Sequence, residues 1–360
     1  MRHNPGILWR LLVSLLLISL CLCAALPGLT EEAEEELELN LEKEGDSWGD
    51  EWFSGLDLTF RDDEEDLSPM SEEELLRVLA EADDTGFTVM PEGVAEEDFF
   101  TILLIGSDAY ESDEAAGERG RADTTIFVQV DAANKKIRMV SFLRDLYLPI
   151  PGKNQNRLNA AYMWGGERLL RRTLKNNFGI TADAYMEVNF SRLIRLIDAI
   201  GGIDLEVSEE EQRQVNSILR FYNTHTGDPE EDQLLEASGT VHLTGKQALC
   251  YARIRKIDND FERTKRQRKV VEAAFHRVME MDLAAIARIV GENLDAVNTD
   301  LTLQDCLRLI PLAVRCTNAS FSTMTVPAPG TWKNEMVGSM SVLDANLPAN
   351  RRKLATFLSE

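Results

Sequence analysis

From Phe99 onward, short apolar runs of strand character alternate with stretches whose apolar residues recur at helical spacing, and few architectures accept that alternation. FFTILLIGSD is an apolar run ending in Gly106-Ser107-Asp108, and TTIFVQVD and KKIRMVSFL read as two strands joined by a turn at Ala132 to Asn134. A helix over Gly165 to Phe178 stops at Gly179. A second, over Ser191 to Ile200, carries Leu193, Ile194, Leu196, Ile197 and Ile200 and stops at Gly201-Gly202. Ile203 to Val207 follows as a strand, Gly245 to Leu249 as a helical turn, Ala252 to Ile254 as a strand, and Asp260 to Met281 as a long helix. The tail reads as a helical region over Leu283 to Arg315, a strand at Phe321 to Pro327 and a helix at Ala349 to Leu358. The expected fold class is α/β: a mixed central β-sheet flanked by helices on both faces.

Ahead of this region lie two segments of different character. Arg2, His3 and Arg10 flank a charge-free stretch from Leu11 to Leu29, long enough to cross a bilayer of about 30 Å. Residues 1–30 are therefore expected to be an uncleaved N-terminal transmembrane anchor; a cleaved signal peptide at Cys23-Ala24-Ala25 is the alternative. Either way the basic end stays inside, so the expectation is a single-pass protein of the cell membrane with its catalytic domain on the extracellular face. Residues 31–99 read as an acidic, largely disordered linker. Residues 31 to 100 hold 27 Asp and Glu against Lys43, Arg61 and Arg77, a net of −24 that equals the charge of the whole chain. One helix is expected inside the linker, Ser71 to Ala82, opened by a capping box of Ser71 and Glu74. The domain proper is set at residues 100–360, with core motifs over 100–280; it is near neutral, so the low pI of the chain says nothing against an anionic substrate.

Of five cysteines, Cys21 and Cys23 fall in the apolar stretch, and Cys250, Cys306 and Cys316 lack metal-type spacing. Cys306 and Cys316 are read either as one bridge or as buried free thiols.

The chemistry concentrates in YARIRKIDNDFERTKRQ, Tyr251 to Gln267, which sets Arg253, Arg255, Arg263, Arg266 and Gln267 around Asp258 and Asp260. On a strand, Arg253 and Arg255 would share a face, and Arg263 and Gln267 lie one helical turn apart. Planar guanidinium groups bond phosphate oxygens two at a time and stay charged, so a phosphate-bearing ligand is indicated; a solvated basic helix is the plain alternative. GRADTT places Arg121 and Asp123 at a strand mouth, and SFLRD places Arg144 and Asp145 at a strand end. Such groups could merely neutralise one another in surface pairs worth about 0 to 1 kcal/mol. The functional reading gives Asp108 and Asp123 a hard divalent cation, Mg2+ or Mn2+, while the arginines grip phosphate. The histidines, His3, His225, His242 and His276, fall outside these clusters, and no Walker, G-x-S-x-G or Rossmann fingerprint is present. Phosphoryl transfer, which needs positioning and charge stabilisation, fits that inventory.

The motifs ILLIGSD, GRADTT, SFLRD, RLNAAYMWGG, DAIGGIDLEV, LTGKQALCYARIR and DNDFERTKRQ, in that order from about Phe100 to Arg268, resemble those of the LytR-CpsA-Psr family of cell-envelope glycopolymer transferases. The resemblance implies a magnesium-dependent phosphotransferase that moves a glycopolymer, of the teichoic acid or capsular kind, from a polyprenyl-pyrophosphate carrier to a peptidoglycan hydroxyl through a phosphodiester. It implies Arg144, Arg253, Arg255, Arg263 and Gln267 as pyrophosphate contacts, Asp108 and Asp123 as metal ligands, and Arg121 as an aid to the attacking hydroxyl, so that Arg121, Asp123 and Arg144 form the catalytic set. The lipid chain would lie in an apolar tunnel for which the helix around Phe190 to Ile200 is a candidate wall. Ala122, Leu143 and Leu146 depart from the family pattern without removing a charge. The implied partners are the lipid-linked glycan, the peptidoglycan acceptor and membrane lipid. Nucleic acid is not among them, because a near-neutral domain lacks the field that phosphate-backbone binding needs. A polyprenyl-pyrophosphate phosphatase and a membrane-bound regulator are the competing readings.

Overall fold

A sheet of six strands organises the molecule. The computed structural model describes residues 69–80, 94–95, 98–107, 120–282, 298–301 and 319–360, with single positions at 285, 288, 289, 312, 315 and 316. The expected membrane anchor, most of the acidic linker, Asp108, Cys306 and most of the Leu283 to Arg315 region lie outside these residues. Among the described residues no helix is long and apolar enough to cross a membrane.

The central strands are β1 (Phe99–Ser107) and β2 (Ala122–Asp131), antiparallel to each other and buried at every residue. That is why FFTILLIGS reads as one continuous apolar run rather than an alternation. On one side β2 pairs antiparallel with β3 (Lys136–Phe142), which pairs in parallel with β10 (Ser320–Val326). On the other side β1 pairs in parallel with β6 (Ala184–Val188), which pairs with the short β9 (Asn298–Thr299). The sheet is mixed, as expected; two small pairs lie outside it, β4 (Tyr147–Leu148) with β5 (Asn156–Arg157) and β7 (Ile203–Val207) with β8 (Gly239–Leu243).

Successive strand residues feed opposite layers. Ile102, Leu104, Ile126 and Val128 enter a core with α3 (Phe190–Ala199), α5 (Gly245–Arg253) and α6 (Asp260–Glu280). Leu103, Ile105 and Phe127 enter a second core with α1 (Glu72–Ala80), α2 (Leu158–Phe178) and α7 (Leu347–Ser359). Helices therefore cover both faces.

The local signals explain where elements begin. Ser71 and Glu74 form the expected capping box, and Met70 N donates to Trp164 O at 2.7 Å while Leu75 and Val78 are buried. The Phe99 boundary thus falls between α1 and β1, and α1 is packed into the same core as the strands. Helix α2 starts at Leu158, seven residues before the expected Gly165; Gly165 and Gly166 instead mark a break inside it, with φ of 63° at Gly166. The helix must stay thin there, since a Cβ on Gly165 would lie 2.5 Å from Leu169 Cβ and 3.0 Å from Leu75 Cδ1. Helix α4 (Glu209–Thr226), absent from the sequence reading, is opened by a capping box of Ser208 and Glu211. A hairpin of β11 (Trp332–Val337) and β12 (Met340–Ala345) was not anticipated either, and α7 begins at Leu347 rather than Ala349, capped by Asn346. Cys250 and Cys316 are buried free thiols.

One correction bears on the site. The expected strand Ala252 to Ile254 is the end of helix α5, whose capping box of Thr244 and Gln247 fixes its start. Arg253 is the last helical residue and Arg255 lies in the loop that follows. Side chains two apart on a helix do not share a face, so the strand argument for pairing them fails.

Candidate functional site

The site is assembled around Asp123, the second residue of β2, which is 3% exposed. Arg144 follows the end of β3, where Leu143 N donates to Val326 O at 2.9 Å and fixes the turn. From there Arg144 Nη1 donates to Asp123 Oδ2 at 2.7 Å. Asn159, in the first turn of α2, donates its side-chain amide to Asp123 Oδ1 at 3.4 Å and its backbone N–H to Arg144 O at 3.2 Å. Asn159 therefore ties the acid to the strand end that carries its arginine.

The loop after α5 brings Arg255 Nη2 to 4.0 Å from the same Asp123 oxygen. Helix α6 opens at Asp260, with the Asn259 side chain accepting from Phe261 N and Glu262 N. One turn later Arg263 Nη2 sits 2.8 Å from Asp260 Oδ1. Arg263 and Gln267 lie one turn apart and are both buried, as the spacing indicated. Arg253 is buried with its guanidinium 4.9 Å from the centroid of Phe190, a cation–π contact that orients it. Arg121 stands half-buried just before β2.

The electrostatics are those of a cation surplus. Burial would raise the Asp123 carboxyl, but Arg144, Arg255 and Arg263 together hold it below its ordinary value. Burial pushes the Arg255 guanidinium well below its usual range, and Arg263 and Arg144 add to that, with Asp123 and Asp260 offsetting only part. Arg263 is shifted down by burial and by Arg144, against the opposing pull of Asp260. Arg144 alone is raised, because Asp123, Asp145 and Asp260 outweigh its burial. Several buried nitrogens, namely Arg144 Nε, Arg255 Nε and Nη2, and Arg263 Nε and Nη1, donate to nothing in the protein.

The sequence reading missed one arginine here. Arg157, the N-cap residue of α2, lies 3.7 Å from Asp145 Oδ1; burial shifts its guanidinium down, Asp145 opposes this, and Arg121 and Arg144 add to it. Its signal was the RLNAAY segment, quoted as a motif without a role for Arg157 or Asn159.

Arg266, in contrast, belongs elsewhere. Its Nε donates to Glu211 Oε1 at 2.8 Å, its Nη1 to Asp258 Oδ1 at 3.1 Å and to Ile254 O at 3.3 Å, and its Nη2 to Asp258 Oδ2. It stitches the 254–259 loop to the first turn of α4. Arg268 bonds Ser141 Oγ at 2.6 Å and Thr325 Oγ1 at 3.2 Å, pinning α6 to β3 and β10.

The oxygen chemistry at the strand mouth suits a hard cation. Asp123 is a buried carboxylate, and the buried hydroxyls of Ser107 and Thr125 at the ends of β1 and β2 have no hydrogen-bond partner. Among the described residues no group of three metal-ligating side chains occurs, and Asp108, the expected second carboxylate, lies outside them.

A cavity of about 210 Å³ opens on the sheet face covered by α1 and α2. Leu79, Leu103, Phe127, Leu174 and Ile180 line it, together with Arg168, Arg171, Arg172 and Lys175. The candidate tunnel wall, α3, lies on the other face, where Phe190, Leu193, Leu196 and Ile197 are closed into the core.

Comparison with known proteins identifies the family and the fold. The model of the LytR_cpsA_psr family matches residues 71–354. The polyisoprenyl-teichoic acid–peptidoglycan teichoic acid transferase TagU of Enterococcus faecalis is 34% identical over 214 residues, 58% of this chain and 64% of that protein. This chain thus spans just under two thirds of that relative. The regulatory protein MsrR of Staphylococcus aureus is 27% identical over 266 residues, 72% of this chain and 74% of that protein. The crystal structure of B. subtilis TagT shares the fold with a TM-score of 0.58 at 22% identity, covering 78% of this chain and 99% of that one.

Proposed function

The chain belongs to the LytR_cpsA_psr family, and on that premise we propose that it transfers a glycopolymer from a polyprenyl-pyrophosphate carrier to a peptidoglycan hydroxyl. The observation that carries the reading is the surplus of guanidinium charge over the carboxylates Asp123, Asp145 and Asp260, with buried nitrogens that donate to nothing among the described residues. A pyrophosphate supplies both the negative charge and the acceptor oxygens that such a cluster requires. The name of the TagU relative, a polyisoprenyl-teichoic acid–peptidoglycan teichoic acid transferase, supports the same substrate class.

In the proposed reaction the acceptor hydroxyl gives up its proton to water and its oxygen forms a bond to the glycan-bearing phosphorus, while the bridging P–O bond breaks and the polyprenyl monophosphate leaves with the electron pair. Arg255, Arg263 and Arg253 bind the two phosphates, with Gln267 alongside. Arg144 holds Asp123 in place and faces the reacting phosphate, and Arg157 adds charge at the same end. Arg121, at the mouth of β2, faces the side from which the hydroxyl arrives. Asp123 with Asp108 would hold Mg2+ or Mn2+, which neutralises charge on the phosphate oxygens when bound. The lipid chain is assigned to the cavity between α1, α2 and the sheet, along Leu79, Leu103, Phe127 and Leu174, with the basic residues at Arg168 to Lys175 beside it. Residues 1–30 are proposed to anchor the chain so that the domain works on the outer face of the membrane.

Incubating the full chain with lipid-linked glycan, peptidoglycan and Mg2+ should yield a phosphodiester-linked product, and a chelator should stop its formation. Release of glycan phosphate without joining to peptidoglycan would instead mark a hydrolase.

A further inference from the structure

Helix α2 is not one continuous rod. Gly165 and Gly166 are non-helical, so the piece over 158–164 is cut off from the hydrogen-bond ladder that stiffens the rest of the helix. That piece presents two groups of the site, Arg157 at its N-cap and Asn159. Its first turn is tied to the strand end by Leu158 N donating to Leu146 O at 2.8 Å and Asn159 N to Arg144 O at 3.2 Å. At its far end Met70 N donates to Trp164 O at 2.7 Å. Between the two ends stands Tyr162.

The Tyr162 hydroxyl donates to Glu187 Oε1 on the sheet below. Glu187 is the one charged residue of β6 and is 5% exposed. Its register partner on β1 is Ile105, which faces Thr125 of β2, so Glu187 and Asp123 flank β1 near the same end of the sheet. Asn159 and Tyr162 lie three residues apart, one above the other on the helix, and reach Asp123 on one strand and Glu187 on the other. The second Glu187 oxygen accepts from Asn298 Nδ2 at 3.2 Å, and the Tyr185 hydroxyl, bonded to Asn298 Oδ1 at 3.3 Å, orients that amide. Both carboxylate oxygens are thus engaged. A buried carboxylate costs free energy that an apolar strand residue does not. What it supplies is a charge-assisted bond, about twice as strong as a neutral one, where the first piece of α2 meets β6.

We propose that Glu187 is a positioning residue: through Tyr162 it fixes the 158–164 piece of α2 at the spacing from the sheet at which Asn159 aims the Asp123 carboxylate. The need for such an anchor lies in the Asn159 bond itself. At 3.4 Å it is close to the longest useful hydrogen bond, so a small rocking of the piece about its first turn breaks it. Misplacement of a reacting group by about 1 Å can cost about a hundredfold in rate. The value of this anchor to catalysis rests on the proposed transferase activity.

The test compares Tyr162→Phe, Glu187→Ala and Glu187→Gln with the native full chain. Phenylalanine removes one hydroxyl and keeps the ring, and glutamine keeps an oxygen that accepts from the phenol. In Tyr162→Phe and Glu187→Ala, kcat for transfer of lipid-linked glycan to peptidoglycan should fall by about five- to thirtyfold, the scale of one hydrogen bond to a charged group, with KM within about twofold. Glu187→Gln should recover most of the rate. In nitrogen-15 spectra the Asn159 side-chain amide should exchange slowly with solvent in the native chain and in Glu187→Gln, and rapidly in the other two. If that amide keeps its native signal in Tyr162→Phe and Glu187→Ala, the proposal is overturned, however far the melting temperature drops. It is overturned equally if the amide is released while kcat stands. If the amide responds as expected but the native chain transfers no glycan, the positioning of Asp123 stands and the transferase reading alone falls.

Discussion

Arg263 and Arg266 stand three residues apart on one helix, both buried, and their surroundings are opposite. Arg266 meets Glu211, Asp258 and a carbonyl, and its guanidinium is raised because those partners outweigh its burial. Among the described residues Arg263 is ion-paired with Asp260, and its burial, with Arg144 adding to it, lowers its guanidinium against the pull of that carboxylate. The difference teaches how to tell a structural arginine from a binding one. Saturation by protein carboxylates marks a clamp, whereas a buried cation left undercompensated marks a place where the missing negative charge arrives with a ligand.

Substitutions can break that contrast. Arg266→Ala should destabilise the fold by about 3 to 5 kcal/mol, because Glu211 and Asp258 are left half-buried and unpaired; a denaturant melt reads this. Arg255→Ala should leave the melt unchanged or slightly raised, since it relieves repulsion with Arg263 and Arg144. The same change should cost about 2 to 4 kcal/mol of pyrophosphate affinity by calorimetry. If both variants lost stability equally, the division into clamp and receptor would fail. Asn159→Ala should cost about 1 to 3 kcal/mol of transition-state stabilisation, seen as a fall in kcat with little change in KM, because Asp123 loses its fixed orientation.

Titration sharpens the contrast further. The folded-state value of Asp123 is depressed, so its contribution is fully present above the ordinary carboxylate range and is lost only as pH falls through the lower value. A carbon-13 titration should therefore place the protonation step of the Asp123 carboxyl below the ordinary carboxylate range, and a step at the ordinary value would contradict the crowding by arginines. The smallest effect belongs to Cys250, buried beside Tyr251 and pushed up to about 12 from an ordinary value near 9. Between those values the unfolded chain releases a proton that the folded chain keeps, so stability falls as pH rises, and Cys250→Ala should flatten part of that slope in melts across the window.

Much of this was legible in the chain. The central strands were legible in FFTILLIGSD, TTIFVQVD and KKIRMVSFL, the first as the near-continuous apolar run of a strand covered on both sides. Arg263 with Gln267 followed from helical spacing. The Arg253–Arg255 pairing did not, because a three-residue alternation is too short to separate a strand from the last turn of a helix. The stronger signal was the pair Thr244 and Gln247, a capping box that starts a helix; Ser208 and Glu211 said the same of α4. The hairpin was hidden because its two strands are short and half-exposed, with Gly338 at the turn as the one local sign. Arg157 and Asn159 became legible only when the strand end at Arg144 was seen to bond the start of α2.

The parallel pairing of β10 with β3 sets an order of events. Ser320 to Val326 aligns with Lys136 to Phe142, so about half the chain separates two neighbouring strands, and β10 closes the sheet edge beside β3. Arg268 bonds both strands, which means that the helix carrying Arg263 and Gln267 is fully seated only after β10 has arrived. A chain emerging N-terminus first therefore cannot complete its receptor until β10 is free to fold. Activity in this sense reports that synthesis has passed Val326, and a product ending before β10 would hold the arginines without the strand that aims their helix.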